Sequence, residues 1–549
     1  MYVLGLTAPC SWNTAAALVR DGELIAAAEE ERFVRIKHAP YLPPIQAATY
    51  CLREAGITIE QVDAVAIGWR DPLSYWACST WEKLRGLWLP GVPTGIANTF
   101  EYLLQMYRMR NQMKTQWNVS GLPRWVFVPH HLAHAASTYC VSGFEEANVL
   151  TIDGNGEDDS GWMGVGRGKQ LTRWEKIWPQ QSLGFFYENA TDILGFKRHS
   201  HEGKTMGLAG WGKPELSLDP YLSVDGTNYH LQKGYVEWMT KEFGPKRKPS
   251  EPLLDKHRNY AYAVQSYLEK VGVSLAKKAH ERSGLNSLCL AGGVALNCDM
   301  NAKILEQPFV DQIFIQPAAH DAGVAIGSAM VVSQESPDWK PFTMKHAYWG
   351  PAYSDAQIEG FLKESGLQFT KCDDIASTVA DLLANGKIVG WFQGRMELGP
   401  RALGARSILA HPALPGMKDR VNQQVKHRET WRPFAPSILH EAGSDYVENY
   451  HESPFMLITA SVKQSKAKDL LEATHVDGTV RLQSVTKETH PVYHQLLEAF
   501  RDKTGIPAIL NTSFNDQGEP LVASPKDAVR TYYSTGLDAL ALGSYLLEK

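Results

Sequence analysis

The sequence predicts an α/β protein with a two-lobed N-terminal domain and a separate α/β C-terminal domain. Three observations lead there. A three-strand opening occurs twice. Residues 3–7, 15–19 and 24–27 surround a turn at Arg20-Asp21-Gly22, and residues 149–153, 161–165 and 171–174 surround one at Arg167-Gly168-Lys169. Each copy reads as strand, glycine-bearing turn, strand, hairpin and strand, and helical periodicity follows each. Pro337, Pro341, Gly350 and Pro351 then gather between Ser336 and Asp355, where the pattern ends.

The elements follow in chain order. Residues 1–7 lack the basic start and long apolar core of a leader and read as a first strand. Residues 44–55 carry apolar positions at helical spacing, with Pro44 suited to a first helical position because its missing N–H costs nothing there. Residues 259–284 read as a longer helix. Residues 287–291 form a strand running into Gly292-Gly293, with a helix expected over 294–305. That is the layout of a phosphate-binding or nucleoside-binding turn at a helix N-terminus, or of a tight strand–helix connection. Past the boundary, 375–386 is helical and 388–392 a strand. The expected domains are 1–345 and 346–549, the second of ordinary domain length. Two related lobes with helices after each copy match the plan of the actin-like ATPase superfold, with nucleotide in the cleft between the lobes.

Composition narrows the function. A net charge of −5 disfavours an electrostatic nucleic-acid binder, and no stretch is apolar enough to span a bilayer. Cysteines at 10, 51, 78, 140, 289, 298 and 372 include no Cys-x-x-Cys, which fits reduced, mostly buried thiols and a cytoplasmic location. Trp69, Trp76, Trp81, Trp88, Trp117 and Trp125 cluster early and suit packing more than ligand stacking. Residues 72–124 and 221–248 look irregular enough to shape a substrate pocket.

Four residues in three segments are candidate metal ligands. His130 and His134 lie one helical turn apart and share a face. Asp153 opens Asp153-Gly154-Asn155-Gly156-Glu157, and Asp321 precedes Ala322-Gly323. Nearby glycines let backbone N–H groups approach a phosphate. Imidazole and carboxylate together suit iron, manganese or zinc, and spacing does not choose among them.

A second chemical centre lies downstream. Arg395, Arg401, Arg406, Lys426, Arg428, Arg432 and Arg481 fall among Gly, Pro, Trp and Phe, with Asn511-Thr512-Ser513 beyond. Rigid turns bearing guanidinium forks point to a small anionic ligand. Glu397 and Glu429 read as orienting partners for the arginines.

Together these blocks resemble the O-carbamoyltransferases of the nodulation and antibiotic-tailoring family, to which the tobramycin carbamoyltransferases belong. The resemblance runs through 28–33, 130–135, 153–157, 182–184, 202–209, 291–297, 399–404, 431–436, 477–479 and 511–515. It implies an actin-like domain similar to threonylcarbamoyl-transferring proteins, followed by a YrdC-like domain. It implies that carbamoyl phosphate and ATP give carbamoyl-AMP, whose carbamoyl group passes to a hydroxyl of a small, secondary-metabolite acceptor. Carried over by motif, ion ligation falls to His130, His134, Asp153 and Asp321, with Fe2+ placed ahead of Mn2+ or Zn2+ and with Mg2+ accompanying ATP. Nucleotide contact falls to Lys37, Gly154, Gly156, Glu202, Lys204, Gly292, Gly293 and Asn297. Carbamoyl phosphate falls to Arg401, Lys426, Arg432, Arg481, Asn511 and Ser513, with Lys426, Arg401 and Arg432 in catalytic roles. No nucleic-acid or membrane partner is implied, and a homodimer is allowed.

The sequence departs from the family at one place. Where relatives carry His-Asp after the first strand, this chain has Trp12-Asn13. Neither is a general base near neutral pH. Trp12 and Asn13 become acceptor-binding candidates, Trp12 by stacking, and His38 becomes one candidate base. A more acidic or differently placed acceptor, or an impaired transfer step, would equally fit the change. The competing functions are a tRNA threonylcarbamoyl-type transferase, an actin-like small-molecule kinase and a non-catalytic sensor.

Overall fold

The computed structural model describes residues 1–77, 96–219 and 221–549. Trp81, Trp88, Cys78 and part of the 72–124 segment lie outside those residues. Two compact units emerge from the contacts. One holds Met1–Val34 and His38–Met344, the other Arg35–Lys37 and Lys345–Lys549.

The N-terminal unit is built on two five-stranded sheets of the same topology. The first contains β1 (Tyr2–Leu6), β2 (Ala15–Arg20), β3 (Glu23–Glu29), β4 (Ala64–Ile67) and β5 (Arg124–Phe127), in the order β3-β2-β1-β4-β5. The second contains β6 (Glu146–Gly156), β7 (Asp159–Arg167), β8 (Gln170–Ile177), β11 (Ser287–Ala291) and β12 (Gln312–Ile315), in the order β8-β7-β6-β11-β12. A hairpin, β9 (Leu222–Asp225) with β10 (Asn228–Leu231), lies between β8 and β11 in the chain. In both sheets an antiparallel meander leads into two parallel strands, because helices separate the later strands. This repeated order is the actin-like plan expected from the duplicated opening.

Each sheet is followed by a helix, His130–Ser142 after β5 and Ala322–Ser333 after β12. The two cross at backbone distance. A methyl group on Gly327 would lie 1.7 Å from the Ala133 carbonyl oxygen, and one on Gly5 would lie 1.9 Å from that of Ala325. Nearly every residue of both helices is buried, so these helices form the shared core and their N-termini open on one region.

Several local expectations shift. The first expected helix is Ile45–Glu54 with Pro44 as its cap, where the absent N–H is equally harmless. The helix expected at 259–284 runs Asp255–Ser283. The one expected at 294–305 is a 3-10 turn, Gly293–Leu296, and a helix, Cys298–Leu305, divided by Asn297. The segment 221–248 is not irregular: it forms the β9–β10 hairpin and the helix Tyr235–Phe243. Residues 72–124 include a helix of 22 residues, Ile96–Trp117.

The C-terminal unit is an eight-stranded mixed sheet. It contains β13 (Thr370–Lys371), β14 (Val389–Phe392), β15 (Arg406–Ala410), β16 (Ala435–Leu439), β19 (Gln483–Val485), β20 (Ala508–Ser513), β21 (Ala539–Leu542) and β22 (Tyr545–Glu548), in the order β13-β22-β21-β14-β15-β20-β16-β19. A two-stranded ribbon of β17 (Thr459–Ser461) and β18 (Thr479–Arg481) accompanies it. Alternate strand residues feed two cores. Trp391 and Leu409 join Val379, Leu383, Leu497 and Phe500 of two helices in one, while Phe392 and Ile408 join Leu362, Val421 and Tyr532 of three others in the second.

Candidate functional site

The four expected ligands converge. Their donor atoms all lie within 4.8 Å of one another. His130 Nε2 and His134 Nε2 are 3.1 Å apart. Asp153 Oδ2 is 3.5 and 3.4 Å from them, and Asp321 Oδ1 is 3.7 and 3.9 Å. An ion about 2.1 Å from each donor would hold neighbouring donors roughly 3.0–3.4 Å apart, so the donor set fits a divalent cation with modest contraction. His134 Nδ1 is buried without a hydrogen-bond partner among the described residues, and His130 Nδ1 lies 3.4 Å from the Gly68 carbonyl oxygen.

The fold explains the convergence. His130 and His134 begin one helix, Asp321 precedes the other, and Asp153 lies on β6. The remaining histidine of the motif, His131, serves the core. Its ring nitrogens lie 3.1 Å from Thr151 Oγ1 and 3.1 Å from the Asp159 carbonyl oxygen, and burial holds it neutral. Burial alone would lower His130, but Asp153 and Asp321 outweigh that and raise it to about 9. Burial opposes the Asp153 charge, yet the two imidazoles hold its carboxyl well below the usual range. The site therefore favours a carboxylate facing positive charge.

Several supporting contacts were not legible in the sequence. Asp153 Oδ1 accepts the Gly293 N–H at 3.0 Å, which ties the glycine turn to the ligand set. Glu157, at φ +64°, accepts the N–H groups of Arg70 and of His130. Burial raises its carboxyl to about 7 despite the neighbouring Arg70. Gly156 leaves room for His130, since a methyl group there would lie 2.1 Å from the imidazole Cδ2. Trp69 meets His130 edge-on, with ring centroids 5.0 Å apart.

The nucleotide candidates divide. Gly292, at φ +88°, packs on the Ile152 carbonyl, where a methyl group would come within 2.3 Å. A methyl group on Gly154 would make only ordinary contacts, with Glu188 Oε1 and Phe185 Cε1 each at 3.7 Å. Glu202 opens the helix Glu202–Ala209, and burial raises it to about 7. Lys204 is buried, its Nζ 5.5 Å from the Phe196 ring centre. The Asn297 amide accepts from Met300 N–H and pairs both ways with Gln265, so its placement is that of a helix cap. Lys37 belongs to the C-terminal unit, where its charge bears on Lys426.

Trp12 and Asn13 sit beside the ligand cluster. The Trp12 N–H donates to Asp321 Oδ2 at 3.2 Å. Its indole is flanked by His199 and His38 at centroid distances of 4.9 and 6.1 Å, and by the edge of Tyr41. Asn13 Nδ2 donates to His38 Nδ1 at 2.9 Å, and His38 Nε2 lies 3.3 Å from Ser200 Oγ. Both ring nitrogens of His38 are therefore engaged.

Sheet topology assembles the cation centre of the C-terminal unit. β15 and β16 begin where antiparallel β20 ends, and β19 runs parallel to β16. The loops carrying Arg401 and Lys426–Arg432 thus meet the ends of β18 and β20, where Arg481 and Ser513 lie, at one end of the sheet. Lys426 is buried, and its Nζ donates to the Ser513 carbonyl (2.9 Å) and Oγ (3.2 Å) and to the Asn515 carbonyl (2.7 Å) and Oδ1 (2.6 Å). Burial, helped by Arg428, Lys37 and Arg432, holds its pKa well below that of a free lysine. Burial and Arg481 likewise lower Arg432, against Glu429. Crowded cations that lack water favour an incoming anion.

The polar atoms buried here with no hydrogen-bond partner among the described residues include the donor Arg481 Nε and the acceptor Asn511 Oδ1. Asn511 Nδ2 is held by the Ala402 carbonyl, Ser437 Oγ and Gln483 Oε1. Other cations are scaffolding. Arg406, 0% exposed, donates to the carbonyls of Gln393, Ala405, Pro351 and Gly394, and Arg395 donates to that of Trp349. Glu397 Oε1 accepts the N–H groups of Leu403, Ala405 and Arg406, so it orients the loop backbone and not a guanidinium.

The family description "Carbamoyltransferase N-terminus" matches residues 3–330, and "Carbamoyltransferase C-terminus" matches residues 380–549. The chain belongs to the carbamoyltransferase family. This carbamoyltransferase is 39% identical to an uncharacterized protein of Synechocystis sp. over 100% of this chain and 97% of that one. It is 39% identical to the nodulation protein NolNO of Sinorhizobium fredii, over 97% of this chain and 78% of that one. The nodulation protein NolO of Bradyrhizobium diazoefficiens is 41% identical, over 76% and 78%. Among solved structures, full-length HypF in its phosphate- and nucleotide-bound form is 12% identical, covering 62% of this chain and 56% of that one, with a TM-score of 0.37. The transferase assignment rests on the family match, and the actin-like plan on the repeated strand order. No helix among the described residues is long and apolar enough to cross a membrane.

Proposed function

We propose that the enzyme carries out ATP-dependent O-carbamoylation of a small-molecule hydroxyl, of the kind found on secondary metabolites. Carbamoyl phosphate binds at the C-terminal cation centre. Atom balance requires it to lose phosphate to water, leaving carbamate. A carbamate oxygen then attacks the α-phosphorus of ATP, pyrophosphate departs, and carbamoyl-AMP results. In the last step the acceptor oxygen bonds to the carbamoyl carbon while the bond to AMP breaks.

The observation that carries this reading is the pair of buried atoms beside Lys426 and Arg432. Arg481 Nε needs an acceptor and Asn511 Oδ1 needs a donor. Carbamoyl phosphate offers both, with phosphate oxygens at one end and an amide N–H at the other. Arg401, Arg432 and Lys426 supply fixed positive charge where phosphate charge develops. In the N-terminal unit, Glu202, Lys204, Gly154 and the Gly292-Gly293 turn are assigned to nucleotide.

His130, His134, Asp153 and Asp321 are the residues that would hold a divalent cation, and Mg2+ would accompany ATP. A bound ion supplies positive charge for phosphate and carbonyl oxygens. Imidazole with carboxylate admits Fe2+, Mn2+ or Zn2+.

The test is incubation of the full chain with ATP, carbamoyl phosphate and each of these ions, without acceptor. Mass spectrometry should find carbamoyl-AMP and pyrophosphate. ADP as the nucleotide product would establish a kinase instead, and no adenylate with any ion would end the proposal.

A further inference from the structure

We propose that His199, oriented by Glu188, takes the proton from the acceptor hydroxyl, replacing the His-Asp pair that Trp12-Asn13 displaces in this chain. The proposal rests on the carbamoyl-AMP route above and adds the missing base to it.

Three observations point to His199. Its Nδ1 lies 2.8 Å from Glu188 Oε1, an arrangement that fixes the tautomer and leaves Nε2 as the basic nitrogen. No hydrogen bond to Nε2 occurs among the described residues, and the side chain is 41% exposed. The imidazole also rests on Trp12, with ring centroids 4.9 Å apart and planes 37° apart, and the indole N–H donates to the His199 carbonyl at 3.1 Å. The Trp12 backbone in turn touches Asp321. His199 is thus held one residue away from the ligand cluster. Its backbone sits at φ +58°, a conformation that is costly for a side-chain-bearing residue and that tends to persist at functional positions.

His38 is the weaker candidate because Asn13 and Ser200 occupy both its nitrogens. The charges facing His199 are those of Glu188, Glu202 and Arg198. Glu188 dominates and raises its pKa. In the proposed step the acceptor O–H proton moves to His199 Nε2. The oxygen bonds to the carbamoyl carbon, and AMP leaves with the electron pair of the broken C–O bond. Trp12 offers the acceptor an aromatic face, which suits a sugar ring or another flat molecule.

The test separates the two half-reactions in the full chain. Carbon-14-labelled carbamoyl phosphate, ATP and Mn2+ are supplied, with water and excess methyl α-D-glucopyranoside as acceptors. His199→Asn should release pyrophosphate at the wild-type rate while carbamoyl-AMP decay falls by about 100-fold, the usual scale for a lost general base. Free imidazole should restore part of the decay in His199→Gly. Glu188→Gln should move the ascending limb of the transfer pH profile to lower pH, because losing the carboxylate lowers the imidazole pKa. Transfer by His199→Asn at the wild-type rate, equal loss of both half-reactions, or no imidazole rescue would each overturn the assignment. Wild-type enzyme that makes no carbamoyl-AMP would instead overturn the reaction scheme beneath it.

Discussion

Gly156→Ala tests the N-terminal site through a single methyl group. That methyl would lie 2.1 Å from His130 Cδ2, 2.7 Å from Cγ and 3.0 Å from Nε2. Ordinary carbon contact is about 3.5 Å, so the imidazole must retreat by roughly 1.4 Å. Few directions are open to it, since Trp69 meets its ring and Glu157 accepts its backbone N–H. Nε2 would then leave its place 3.1 Å from His134 Nε2. Misorienting one ligand on this scale costs roughly 10–100-fold in metal affinity. Calorimetric titration of the chelator-treated protein with Mn2+ and with Zn2+ should show that loss. Pyrophosphate release, which in the proposed scheme draws on carbamoyl phosphate held at the C-terminal cation centre, should change by less than about threefold. Wild-type affinity in Gly156→Ala would refute the claim that this glycine clears space for a ligand.

Other expectations follow from the same contacts. Lys426→Met strips four oxygens of their buried donor. It should abolish pyrophosphate release and lower stability by roughly 2–4 kcal/mol, checked by a pyrophosphate-specific assay and urea unfolding. Arg406→Ala removes a buried guanidinium from four backbone carbonyls, of which those of Ala405 and Pro351 keep a backbone N–H donor, and should cost roughly 3–5 kcal/mol in urea unfolding, with catalysis failing only as folded protein is lost. Burial raises Glu269 from 4.5 to about 7. A raised carboxyl means that the folded state holds its proton longer, so its share of stability is lost as pH rises from about 4.5 to about 7. Glu269→Gln should therefore stabilise the protein at pH 8 by roughly 1–3 kcal/mol and do nothing at pH 4, as read from thermal melts across that range.

The repeated strands were legible because alternating apolar residues and glycine-bearing turns leave a local imprint. The spacing of His130 and His134 was equally local, since one helical turn joins them. Asn297 shows where local reading stopped. A glycine turn followed by a polar residue suggests a ligand loop, but whether the amide faces ligand or Gln265 depends on a helix some 30 residues away in sequence. Segment 221–248 misled because its hairpin and helix are short and only partly buried, so the periodic signal is weak. Arg406 and Arg401 looked alike in sequence, yet one is a backbone clamp at the start of a buried strand and the other stands in a loop.

Residue order carried the α/β class, the duplicated lobe, the family and the residue types of both chemical centres, all of which depend on neighbours along the chain. Folding in three dimensions settled that Asp153 and Asp321 meet the two histidines, that Lys426 is ringed by oxygens, and that His199 stands over Trp12. Those contacts join residues up to some 190 positions apart. The ligand cluster exists because two helix N-termini and one end of the central strand β6 are packed together, and no periodicity along the chain encodes which side chains then face one another.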